Sequence, residues 1–138
     1  MSVPLKAAET ILVVDDDQEV LSLAVDVLQM ARYVVLSTDD PRHAIRLART
    51  NPEPIHVLLS DVVMPIMNGV ELAAKITAVR PDIRVLLMSA YRTQAIDDYR
   101  TKTPGALFLD KPFTVAGLLQ AVQSAVRHSK QTSWPKPK

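Results

Sequence analysis

The chain has 138 residues, a length that suits one domain able to bury a core without a disulfide or a structural metal. Its formal charge is +1, with acids and bases interspersed, and cysteine is absent; together these exclude the broad basic footprint of a nucleic-acid binder, disulfide frameworks, thiol catalysis and thiolate metal sites. Hydrophobic residues make up 48% but aromatics only 4%, so the interior has to be built from Val, Leu, Ile, Ala and Met.

Residues 1–9 read as a short extension without a long apolar stretch, and the run 11–14 stops at Asp15, Asp16 and Asp17. Neither a signal peptide nor a membrane span is expected there, and the cytoplasm is the simplest location. From residue 10 to 128 five short apolar runs, 11–14, 33–36, 55–60, 83–89 and 106–109, alternate with amphipathic segments. The runs lack polar alternation, as expected of parallel strands buried on both faces.

Between them the period becomes helical. Val20, Leu21, Ala24, Val27, Leu28 and Ala31 fall on one helix face. Asp40-Pro41 reads as an N-cap followed by proline at the first helical position, opening a helix that turns Ala44, Ile45 and Ala48 inward. Leu72, Ala73, Ile76 and Val79 make a third stripe, closed by Pro81. Residues 92–100 are thin in apolar content and give the weakest helix signal. Thr114 caps a last helix carrying Leu118, Leu119, Val122, Ala125 and Val126. Residues 129–138, with Trp134 among Ser, Pro and Lys, read as a flexible, solvated tail.

Strand–helix alternation repeated five times predicts an α/β, doubly wound (βα)5 three-layer sandwich with a parallel five-stranded sheet. Ligands of such sheets lie beyond the carboxyl ends of the strands. The residues there are Asp15, Asp16 and Asp17 after the first run, Asp61 after the third, Ser89 after the fourth and Lys111 after the fifth. Clustered carboxylates repel, and a cation or a nearby lysine relieves the repulsion. Oxygen-only ligation without His or Cys suits a hard ion such as magnesium. The same set suits phosphoryl transfer, with a carboxylate such as Asp61 as nucleophile, Lys111 neutralising a phosphoryl oxygen and Ser89 donating to another.

Each residue alone has a plainer reading. The aspartates at 15 to 17 serve as helix caps, Asp61 and the nearby Asn68-Gly69 as turn residues, Ser89 as a structural hydroxyl and Lys111 as a solvated cation. Their order behind four successive strands is what favours a site. His43, His56 and His128 share no predicted site, and Met64 and Met67 read as loop packing. An aspartate-nucleophile phosphatase would need a second acid two residues after the nucleophile, where Val63 stands. A dinucleotide-binding enzyme would need a glycine-rich turn after the first strand, and the glycines are at 69, 105 and 117.

The segments Ile11-Leu12-Val13-Val14-Asp15-Asp16-Asp17, Leu59-Ser60-Asp61-Val62-Val63-Met64-Pro65-Ile66-Met67-Asn68-Gly69, Leu87-Met88-Ser89-Ala90 and Asp110-Lys111-Pro112-Phe113 closely resemble receiver domains of two-component response regulators and hybrid sensor kinases. The resemblance runs over residues 11–126. It implies a chemotaxis-regulator-like sheet in the order 2-1-3-4-5, phosphorylation of Asp61, and Mg2+ or Mn2+ held by Asp16, Asp61 and the main-chain oxygen of Val63, with Asp15 acting through water. It further implies Ser89 as the hydroxyl of the switch, Phe108 as its aromatic residue, and a cis bond between Lys111 and Pro112. Asp17 is left as a helix cap.

Three positions depart from the family. Phe108 lacks the hydroxyl of the tyrosine often found there, and Val63 and Tyr91 are bulky where similar proteins influence water access, so slow self-dephosphorylation is expected. The resemblance implies no enzyme beyond this self-modification. The implied partners are a histidine kinase or phosphotransfer protein, and a downstream protein effector or an output domain missing from this chain. A homodimer through the fourth helix, fifth strand and fifth helix is also implied, with neither nucleic acid nor membrane bound by this chain. A degenerate receiver serving as a constitutive docking module and a receiver cut from a hybrid kinase stand as the alternatives.

Overall fold

Five strands alternate with five helices in the computed structural model, which describes residues 8–131, with side chains to residue 127. In chain order they are β1 Thr10–Val14, α1 Gln18–Met30, β2 Val34–Thr38, α2 Pro41–Thr50, β3 Val57–Asp61, α3 Gly69–Val79, β4 Arg84–Ser89, α4 Gln94–Lys102, β5 Leu107–Asp110 and α5 Val115–Gln131. All strand pairs are parallel and the order is β2-β1-β3-β4-β5, the doubly wound sheet expected. α5 runs past residue 128, where the sequence reading ended the domain. Trp134 and most of the expected tail lie outside the described residues, as do residues 1–7.

Local chemistry accounts for the helix starts. Asp17 caps α1 by accepting from the N–H groups of Glu19 and Val20, and Asp40 caps α2 ahead of Pro41. Thr93 caps α4, and the Thr114 hydroxyl accepts from Gly117 N–H at the start of α5. Ala31 falls outside the buried stripe of α1: it is the C-cap and is exposed.

The sheet divides the core in two. On one side α1 and α5 cover Ile11, Val13, Leu59 and Met88. On the other α2 and α3 cover Leu12, Val14 and Leu58, with Met64 and Met67 packed among them. Burial on both faces holds for β1 and β3, but not for β2 and β5, which form the sheet edges and are partly exposed. An edge strand has a neighbour on one side only, so the helices do not close over it.

His43 and His56 have structural contacts. The Nδ1 of His56 accepts from Thr10 N–H at 3.0 Å, tying β1 to the entry of β3. His43, half-buried, hydrogen-bonds the Thr38 hydroxyl at 3.0 Å.

Candidate functional site

The carboxyl ends of β1, β3 and β5 converge on one pocket. β1 delivers Asp15, whose side chain is fully buried. Its Oδ1 accepts from Asp17 N–H at 2.9 Å, and its Oδ2 pairs with Lys111 Nζ at 2.9 Å. Asp61 is the last residue of β3, 8% exposed, with Oδ1 3.4 Å from the same ammonium. Lys111 follows β5 and is placed by its own N–H, which donates to the Ser89 carbonyl at 2.9 Å. Asp16 is exposed, yet oxygens of Asp15, Asp16 and Asp61 lie within 4.8 Å of one another.

The electrostatics follow from that crowding. Burial is the largest influence on Asp61 and raises its pKa; repulsion from Asp15 adds to this, and attraction to Lys111 opposes it. Lys111 is pulled down by burial, its largest single influence, but the contacts with Asp15 and Asp61 prevail and its pKa is raised. The ammonium is therefore firmly charged. Three carboxylates against one ammonium leave two negative charges uncompensated, and every donor is a hard oxygen. That set fits a magnesium or manganese ion.

Behind the acids the backbone is packed to its limit. Gly69 opens α3, and a Cβ built on it would meet the Asp61 carbonyl oxygen at 2.2 Å. Asn68-Gly69, expected as a turn, is instead a helix start: Asn68 accepts from Glu71 N–H while Glu71 accepts from Asn68 N–H. The Asn-x-x-Glu spacing of a capping box was the signal. Ile66 in the same loop has φ 76°, and Met67 N–H donates to the Pro65 carbonyl across it at 2.8 Å. Val63, two residues beyond Asp61, has an exposed side chain.

The remaining predicted residues stand to one side. Ser89 ends β4, but its hydroxyl donates to the Tyr91 carbonyl and accepts from Tyr91 N–H at 3.1 Å, so it is bound to its own loop. Phe108 lies in β5 beside Leu87 and shares with Ser89 and Ile96 a cavity of about 300 Å³. The Tyr99 ring meets it edge-on at 6.1 Å, and the Arg100 guanidinium sits 4.2 Å from its centroid. Those two α4 residues were not singled out from sequence, because the α4 signal was weak. The peptide bond Lys111-Pro112 is cis.

A doubly wound (βα)5 domain whose strand ends bring three carboxylates and a lysine together has the architecture of a receiver. The profile of the response regulator receiver domain matches residues 11–123. The response regulator receiver protein CpdR of Brucella abortus is 31% identical over 113 residues, 82% of this chain and 92% of that protein. The DNA-binding transcriptional regulator NtrC of Azospirillum brasilense is 32% identical over 121 residues, 87% of this chain but 24% of that protein. Among solved structures, a CheY-like receiver domain protein of Methanospirillum hungatei superposes with a TM-score of 0.82 at 21% identity, covering 91% of this chain and 99% of that one. This chain belongs to the response regulator receiver domain family of two-component systems. Among the described residues no helix is long and apolar enough to cross a membrane.

Proposed function

We propose that the chain is a phosphorylation switch whose acceptor is Asp61. The observation that carries this reading is the Lys111 ammonium lying 2.9 Å from Asp15 and 3.4 Å from Asp61, beside an acid cluster whose charge it only partly offsets. An Asp61 carboxylate oxygen attacks the phosphorus of a phosphohistidine on a histidine kinase or phosphotransfer protein. The P–O bond forms as the P–N bond breaks, and the imidazole leaves with the electron pair. Lys111 then pairs with a phosphoryl oxygen, as an ammonium already held at that carboxylate is placed to do. A magnesium or manganese ion held by Asp16, Asp61 and the Val63 main-chain oxygen, with Asp15 through water, supplies further charge neutralisation there when bound.

Output follows from what Ser89 exchanges. Its hydroxyl gives up the Tyr91 contacts for a phosphoryl oxygen, the loop moves, and Phe108 repacks into the adjoining cavity. The face of α4, β5 and α5 then changes its affinity for a protein effector, an output domain or a second copy. Val63 offers no polar group to orient an attacking water and Tyr91 sets a bulky ring at the second position, which supports a long-lived acyl phosphate.

Incubation with magnesium and acetyl phosphate followed by intact-mass measurement tests the proposal. A gain of about 80 Da, lost in Asp61→Asn, is expected. No gain in the native chain would leave a docking module instead.

A further inference from the structure

We infer that the groove between α2 and α3 is a second interaction surface, one that takes an acidic amphipathic helix of a protein partner. It shares no residue with the phosphoryl-acceptor site or with α4, β5 and α5, so it goes beyond the switch described above. Arg42, Arg46 and Arg49 stand at i, i+4 and i+7 on α2 and line one wall. Lys75 on α3 faces them across a groove of about 520 Å³. None of the lining residues is acidic. On a chain whose formal charge is only +1, this concentrates positive charge in one place.

Two acids near the groove have partners of their own, and a third, Asp82, borders Arg49 and Val79. Asp40 pairs with Arg42 at 3.0 Å and caps α2, while Glu71, one turn before Lys75, is held in the capping box with Asn68. Arg46, Arg49 and Lys75 carry most of the charge of the groove, Arg46 sharing the attraction of Asp40 with Arg42. Like charges three and four residues apart weaken a helix on its own. Nothing in the packing of α2 calls for them, since its buried contacts run through Pro41, Ala44 and Ala48.

The floor decides the class of partner. It is made of Ile45, Met67, Ala78 and Val79, the last 41% exposed. A phosphate backbone gains nothing from such a floor, whereas an amphipathic helix lays its apolar face there and meets the cationic walls with carboxylates on either side. Met67 adds a side chain that adapts its shape to what it packs against.

The test uses the full, unphosphorylated chain without metal, so its outcome is independent of phosphoryl transfer. An isotope-labelled sample is titrated with a synthetic helical peptide that has leucines on one face and glutamates flanking them. The same peptide with its sequence scrambled serves as control. Saturable binding with amide shifts centred on Ile45, Met67 and Val79 is expected. The double charge reversal Arg46→Glu with Arg49→Glu should weaken binding by about tenfold or more. Ala78→Glu, which puts a carboxylate on the floor, should weaken it as well, and circular dichroism melting checks that both variants remain folded. The inference is overturned if the scrambled peptide binds as well, if the shifts map elsewhere, or if folded charge-reversal variants bind undiminished. Tighter binding of duplex DNA or of phosphatidylserine vesicles through the same arginines would overturn it too.

Discussion

Replacing Asp61 with Asn is expected to stabilise the metal-free fold near neutral pH while abolishing phosphoryl acceptance. At an effective dielectric of about 20, a buried carboxylate within 4.8 Å of another is repelled by about 3.5 kcal/mol or more, as Asp61 is by Asp15. Asp16 stands as close but is exposed, and solvent screening cuts its share to about 1 kcal/mol. The Lys111 ammonium at 3.4 Å returns about 5 kcal/mol, so these pair energies nearly offset. What remains is the burial of the charge itself, of order 1–2 kcal/mol for a carboxylate whose rim still meets water. Asparagine keeps the shape and an oxygen for Lys111 while removing that charge. The melting temperature should rise by about 4–8 °C.

The sign of the pH dependence follows from the same crowding. Asp61 titrates above its ordinary value of 3.8, chiefly because of burial, so the stability linked to its protonated form is fully present below 3.8 and lost as pH rises through the higher folded-state value. Native and Asp61→Asn chains should therefore unfold at equal urea concentrations below about pH 3.8 and diverge above it, the variant being the more stable. Urea titrations in chelator between about pH 3.5 and 8 measure this. A variant less stable than the native chain at neutral pH, or a difference that stays constant across the range, would refute the electrostatic reasoning.

Magnesium should reverse that ranking, because the native chain gains more from the ion than Asp61→Asn does; Asp16→Ala should lose most of the gain, and calorimetric titration of each chain reads it. Gly69→Ala should cost about 3 kcal/mol or more, since its methyl meets the Asp61 carbonyl at 2.2 Å and backbone has to move; urea midpoints measure the cost, and magnesium affinity should fall with it. Ile66→Gly should gain about 0.5–1 kcal/mol, as the relief of a β-branched residue at φ 76° exceeds the added chain entropy, visible as a higher melting temperature.

The sequence carried the fold because its cues are local. Runs such as 11–14 and 57–59 are apolar throughout, and Asp17, Asp40 and Thr114 mark helix starts with side chains that need no distant partner. The acids and the lysine were legible for a related reason: a parallel sheet brings all its strand ends to one rim. Features that depend on distant contacts were not legible. Nothing local distinguishes edge strands β2 and β5 from the central ones. Arg80 donates to the carbonyls of Ala48 at 2.7 Å and Glu53 at 3.0 Å, and also to that of Asn51, closing the end of α2 from about 30 residues away, a partnership no spacing rule anticipates. The direction of the Ser89 hydroxyl is a choice of side-chain torsion, which the identity of the residue leaves open.

That torsion bears on how charge at Asp61 becomes motion elsewhere. The acid end of the pocket has little freedom: Val14, Asp15 and Ser60 are fully buried, and Gly69 presses on the Asp61 carbonyl. The β4–α4 side is the opposite, with Ala90, Tyr91 and Arg92 exposed and a cavity of about 300 Å³ between Ser89 and Phe108. A close-packed region transmits a new charge without yielding, whereas a loop held by its own hydroxyl turn and bordered by empty space has a second arrangement within reach. On the proposed function, the response therefore appears at Ser89 and Phe108 because that is where the packing leaves room for it. Phe108 has no phenolic hydroxyl; its ring packs against the cluster of Val62, Leu87 and Ile96 and is held from α4 by the Arg100 guanidinium and the Tyr99 edge. The balance between the two arrangements is accordingly set from α4, the helix on the face assigned to output.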